Sequence, residues 1–120
     1  IEGSVDLMKT DKSKMYNLPH VGWNEINILK DHKIFEGIKN NSNFYFVHSY
    51  QAILKNNEYL FAETKYLETF PSIIIKDNVV GFQFHPEKSS KKGLKILENF
   101  VIGIFNVKKK NNSTITINEW

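Results

Sequence analysis

Most of the chain carries a short-period alternation of apolar and polar positions, and one long stretch near its end carries a helical period. Residues 1–8 alternate weakly and read as a strand entering from a neighbouring element. Residues 9–18 are polar and read as a surface loop, after which Leu18–Ile26 packs Pro19, Gly22 and Trp23 into a turn-like segment. A strand over 26–29 and a short helix carrying Ile34, Phe35 and Ile38 follow, closed by a polar loop at Asn40–Asn43. Asn43–Tyr50 is aromatic and β-branched, with Phe44, Phe46 and His48 on one face and Tyr45, Val47 and Ser49 on the other. Strands are expected again at Tyr59–Ala62, Ser72–Lys76 and Val79–Phe84, the last two joined through Asp77-Asn78 as a tight hairpin. From Ser90 to Asn106, Leu94, Leu97, Val101 and Ile104 form one helical stripe beside Phe100 and Phe105, with Ser89 or Ser90 placed to cap it. Residues 107–120 read as a frayed or loosely docked tail.

The totals narrow the class of protein. A chain of 120 residues that is 41% hydrophobic and 24% charged suits one globular domain with a buried core. No stretch approaches the ~18 apolar residues of a membrane helix, and no signal-peptide pattern opens the chain, so a cytoplasmic protein is expected. The chain starts at Ile1 rather than Met, as a processed product or a piece of something longer would. The absence of cysteine excludes disulfides and thiolate metal sites, and neither a metal nor another cofactor is expected. The net charge of +3 is uneven: residues 88–110 hold seven lysines against a single acid, Glu98. Such a cluster attracts phosphate or an acidic protein surface. Every basic residue is lysine, though, and base reading leans on bidentate arginine, which argues against a sequence-specific nucleic-acid reader.

Candidate chemistry lies where the hairpin's second strand ends, in Phe84-His85-Pro86-Glu87-Lys88-Ser89. His85 and Glu87 are two apart, so on an extended backbone their side chains leave on the same side. Pro86 restrains both its own φ and the conformation of His85. A carboxylate bonded to one imidazole nitrogen leaves the other free as a general base, which is two-thirds of a nucleophile–base–orienter triad. From the spacing alone a structural strand-end turn is the commoner reading, since His-x-Glu pairs are frequent. Among the other histidines, His20 reads as a hydrogen-bonded structural residue and His32 as a solvated one.

That motif, together with Pro19-His20-Val21-Gly22-Trp23-Asn24 and Tyr45-Phe46-Val47-His48-Ser49-Tyr50, resembles the triad-type (class I) glutamine amidotransferases. Within them it looks most like the glutaminase subunit of imidazole glycerol phosphate synthases, over about residues 1–103 and in the C-terminal portion only. The resemblance implies an α/β sandwich, present here as an incomplete β-rich part with a terminal helix. Residues 1–106 would be part of a single domain and 107–120 a tail. It implies catalytic roles for His85 as the base and Glu87 as its orienter. Ser49 and Tyr50 would receive the α-carboxylate of glutamine on their backbone. Trp23, Asn24 and Lys88 would face a (β/α)-barrel synthase in a heterodimer, and that synthase would use the released ammonia to make imidazole glycerol phosphate for histidine biosynthesis.

The family's nucleophile is a cysteine on a strand-to-helix turn, and this chain has none, so the isolated chain is expected to be inactive. Two other readings stand beside the leading one. A paralogous subunit could feed ammonia to a partner that modifies surface sugars, or the chain could be a non-catalytic piece that docks on a synthase and regulates it. Sequence-blind nucleic-acid binding through the lysine cluster is a weaker idea.

Overall fold

The computed structural model describes residues 1–9, 18–107 and 114–117, with 104–107 and 114–117 described by their backbone alone. Among the described residues, three sheets and one long helix make up the architecture. Strand β1 (Gly3–Leu7) pairs antiparallel with β5 (Tyr50–Leu54), and β2 (His20–Glu25) pairs antiparallel with β4 (Asn43–His48). The five-stranded sheet runs β3 (Asn27–Ile28), β6 (Leu60–Tyr66), β7 (Glu68–Lys76), β8 (Val79–Phe82) and β9 (Thr114–Ile117). Helix α1 spans Ser90–Val107.

Phenylalanines hold the layers together. Phe44, Phe46, Phe70, Phe82 and Phe84 are all buried, the first two because the alternation along β4 sends every second side chain inward. Phe84 lies 4.4 Å from Phe44 and 5.6 Å from Phe46 between ring centroids, which joins the end of the β8 segment to β4. The β7–β8 hairpin turns on Asp77-Asn78 as expected, with Lys76 opposite Val79 and Asp77 at a φ of 53°.

Several expected elements are corrected. Leu18–Ile26 is mostly strand rather than turn, because β2 finds a full-length partner in β4 and Gly22 takes the φ of +154° that the strand needs there. The helix carrying Ile34, Phe35 and Ile38 is a single 3₁₀ turn at Lys33–Phe35, capped by His32, whose Nδ1 accepts from the Ile34 N–H. Asn43–Tyr50 is not one strand: β4 stops at His48 and β5 starts at Tyr50, in a different ladder. Strands β6 and β7 are longer than their apolar cores suggested. Within residues 107–120, β9 pairs in parallel with β8 from Val79 opposite Thr114 to Phe82 opposite Ile117. The rest of the tail, and the loop over 9–18 apart from its two ends, lies outside the described residues.

The face that α1 buries also differs from the expected stripe. Ile96 and Asn99 are buried, and the Asn99 amide donates to the carbonyls of Ile34 and Glu36 at 2.8 Å each. Leu94 and Val101 are instead 61% and 47% exposed. On β1, Val5 and Leu7 are exposed as well. Uncovered apolar stripes of this kind drive association. The isolated chain is expected to self-associate, and Leu94→Lys with Val101→Lys to shift it toward monomer without lowering the melting temperature. Sedimentation velocity checks this, and a wild-type chain that stays monomeric at high concentration contradicts it.

Candidate active site

Strand β8 stops at Phe82 rather than Phe84; the chain bends at Gln83 and Phe84 and reaches His85, which is extended at φ −96° and ψ 98°, and Pro86 then opens a 3₁₀ turn over Pro86–Lys88. The turn brings the Glu87 carboxylate back to the imidazole, with Oε1 2.8 Å from His85 Nδ1. A carboxylate oxygen only accepts, so Nδ1 carries the proton and Nε2 keeps a free lone pair. The His85 side chain is 10% exposed and that of Glu87 41%, so the base is sheltered and its orienter faces outward.

Three features hold the turn, two of them reaching across to β4. The His85 N–H donates to the Tyr45 carbonyl at 3.0 Å, tying the turn to β4. The Ser89 hydroxyl donates to the His85 carbonyl at 2.6 Å and accepts from the Tyr45 N–H at 2.9 Å. Ser89 is therefore a bridge between the His-Pro-Glu turn and β4, rather than a side chain committed to capping α1. Gly93 is the third element: a Cβ there would stand 1.9 Å from the Pro86 carbonyl oxygen, so only glycine lets α1 start this close beneath the turn. Gly93→Ala is expected to cost about 2 kcal/mol, net of alanine's better helix propensity. Urea unfolding measures it, and a variant as stable as the parent contradicts the close approach.

The class-I glutamine amidotransferase family matches residues 3–104. The chain belongs to this family. It is 52% identical over 101 residues to the imidazole glycerol phosphate synthase subunit HisH of Pelagibacter ubique, covering 84% of this chain and 48% of that protein. It is 60% identical over 84 residues to HisH of Methanocaldococcus jannaschii, covering 70% of this chain and 42% of the relative. The chain thus spans about half the length of these curated relatives. Among solved structures, a putative GMP synthase subunit from Thermoplasma acidophilum superposes with a TM-score of 0.68 at 20% identity. That match covers 90% of this chain and 53% of the other, and it supports the class I amidotransferase fold.

In this chain the other expected site residues fall on β2, on the β4–β5 step and in the turn after Pro86. Ser49 and Tyr50 form the step between β4 and β5; Ser49 is half-buried, its carbonyl accepting from the Met8 N–H at 2.9 Å, and Tyr50 is exposed. Strand β4 therefore carries the anchor of the His85 turn and leads directly into the Ser49–Tyr50 step. Trp23 lies on β2, 52% exposed, with its ring 5.7 Å from that of Tyr45. Lys88 is exposed in the 3₁₀ turn beside Glu87. Asn24 is half-buried, and its amide meets His20. A polar cavity of about 560 Å³ opens beside Trp23 and Asn24, bounded also by Asn43, Glu63 and Lys65. It includes neither His85 nor Glu87, so it is separate from the acid–base pair.

Two buried histidines, His20 on β2 and His48 at the end of β4, stand opposite each other in the β2–β4 pair. His20 Nδ1 lies 2.9 Å from His48 Nε2, and His48 Nδ1 lies 2.8 Å from the Tyr50 carbonyl. Burial pushes the His48 imidazole down to about 4, a fall that the Tyr50 bond partly opposes and that His20 and His85 reinforce. Burial also lowers His20. His20 is the hydrogen-bonded residue the sequence suggested, but its pairing with His48 had no sequence signal. Among the described residues no cluster of three or more His, Asp or Glu is arranged to hold a metal, and no helix is long and apolar enough to cross a membrane.

Proposed function

We propose that this chain supplies the acid–base part of a glutamine amidotransferase subunit. That subunit hydrolyses glutamine to glutamate and ammonia and passes the ammonia to a (β/α)-barrel synthase making imidazole glycerol phosphate. The observation that carries the reading is the 2.8 Å bond from Glu87 to His85 Nδ1, which presents a sheltered, bare Nε2 at a strand end. The 52–60% identity to HisH subunits supports the choice of subfamily.

In this reading His85 Nε2 takes the proton of a cysteine thiol, and the thiolate attacks the side-chain amide carbon of glutamine. As the carbon–nitrogen bond breaks, the imidazolium returns that proton to the departing ammonia. Water, deprotonated by the same ring, then cleaves the thioester to glutamate. Glu87 keeps the ring in the required tautomer and stabilises its cation. With no cysteine among the 120 residues, the thiol belongs to a segment outside them. Ser49 and Tyr50 would hold the α-carboxylate, and Trp23, Asn24 and Lys88 would meet the synthase, in a cytoplasmic heterodimer.

The test is ammonia release from glutamine by three samples: the chain alone, the chain completed by a cysteine-bearing amino-terminal half, and the completed subunit with its synthase. Silence from the first and activity from the last is the expected pattern. Activity from the chain alone, or none from the completed pair, overturns the proposal. The missing cysteine also favours a non-catalytic piece that docks on a synthase, and silence of the completed subunit with retained binding to the synthase would select that reading.

A further inference from the structure

The pair of buried histidines is not used by the acid–base chemistry, yet it ends on the step that carries Ser49 and Tyr50. We infer that His48 is a positioning residue: held as its Nδ1–H tautomer by His20 and Asn24, it clamps the Tyr50 carbonyl and so fixes the backbone that receives the substrate's α-carboxylate. This rests on the amidotransferase reading above and deepens it.

Proton counting supports the assignment. The Tyr50 carbonyl only accepts, so His48 Nδ1, 2.8 Å away, must donate. A neutral ring then has a bare Nε2, and His20 Nδ1 at 2.9 Å must supply the hydrogen between the rings. His20 Nε2 is bare in turn, and it faces the Asn24 side-chain amide, whose Oδ1 is placed 2.6 Å away. Three links between two carbonyl-type acceptors need three hydrogens, and two neutral rings hold only two. The Asn24 amide therefore turns its NH₂ toward His20, an exchange of nearly isosteric atoms. The alternative places an extra proton on one of two buried rings, which burial opposes in both.

Packing holds the chain of bonds in one geometry. His20 is fully buried, stacked between Tyr66 at 3.8 Å and Phe46 at 5.1 Å between centroids. His48 is 3% exposed, with its ring 4.9 Å from Phe70. The two strands that flank Ser49 lie in different ladders, so no continuous sheet register sets the angle between them. The His48–Tyr50 bond spans that break directly.

Two measurements test the inference. In the completed subunit with its synthase, His48→Ala is expected to raise KM for glutamine about tenfold with kcat little changed. His48→Asn, whose amide N–H stands near the Nδ1 position, should restore most of the loss. Unchanged KM in the alanine variant, or equal loss in both variants, overturns it. If His85→Ala leaves activity intact in the same assay, the amidotransferase reading itself has failed; if only the His48 result is negative, the positioning role alone has failed. Should the alanine variant not fold, long-range ¹H–¹⁵N spectra of the wild-type chain decide. Protonated Nδ1 and bare Nε2 on both His48 and His20 are expected, and the opposite tautomer on His48 overturns the inference.

Discussion

If the proposed function holds, removing the imidazole of His85 in the completed, synthase-bound subunit is expected to lower kcat for ammonia release by about a thousandfold and to leave KM for glutamine nearly unchanged. The size follows from what is lost. A general base that also returns a proton to the leaving group contributes typically ~10²–10⁴ in rate. The split follows from placement: Ser49 and Tyr50, proposed to hold the substrate, belong to the β4–β5 step rather than to the Pro86 turn. Glu87→Gln should cost less, about a hundredfold. The amide still reaches Nδ1, but the charge that steadies the imidazolium is gone and the favoured tautomer is no longer enforced. Steady-state assays at saturating glutamine measure both. A His85→Ala enzyme within tenfold of the parent would mean that another group moves the proton.

That pair was legible in the sequence because it is local. His85, Pro86 and Glu87 are adjacent, proline restrains the backbone, and the bond closes within one turn. The β7–β8 hairpin was legible for the same reason, its register following from two turn residues. What supports the pair was not legible. Ser89 sits 44 residues from Tyr45, and its bridge exists only because Phe84 packs between Phe44 and Phe46. Gly93 looks like a weak point in a helix until the Pro86 carbonyl is found where its Cβ would be. The buried side of α1 was misread because hydrophobic period names a stripe but not the surface that covers it. Asn99 wins the inner face by satisfying two carbonyls of the 33–36 turn, while the more apolar Leu94 and Val101 face out. Strand β2 was misjudged because Pro, Gly and Trp in succession suggest a turn when the pairing strand, some 20 residues on, is not considered.

Acid should destabilise the folded chain well before most carboxylates are protonated. His48 titrates at about 4 in the folded protein and near its ordinary value of 6.5 when unfolded. As pH falls below 6.5, the unfolded chain takes up a proton that the folded chain refuses, so each step down favours unfolding. The stabilisation is complete above 6.5 and is lost progressively until the folded ring also titrates near 4. Over that window the loss is about 3 kcal/mol, and His20, lowered by the same burial, acts in the same direction. The effect belongs to the buried rings, so added salt should do little to it. Urea unfolding at pH 7.0, 6.0, 5.0 and 4.5 measures it, and His48→Asn should flatten the slope. A chain equally stable at pH 7 and pH 4.5 would mean that water reaches the His48 ring or that the His20–His48 bond accepts the extra proton. Either outcome would also remove the reason for assigning neutral rings to the histidine pair.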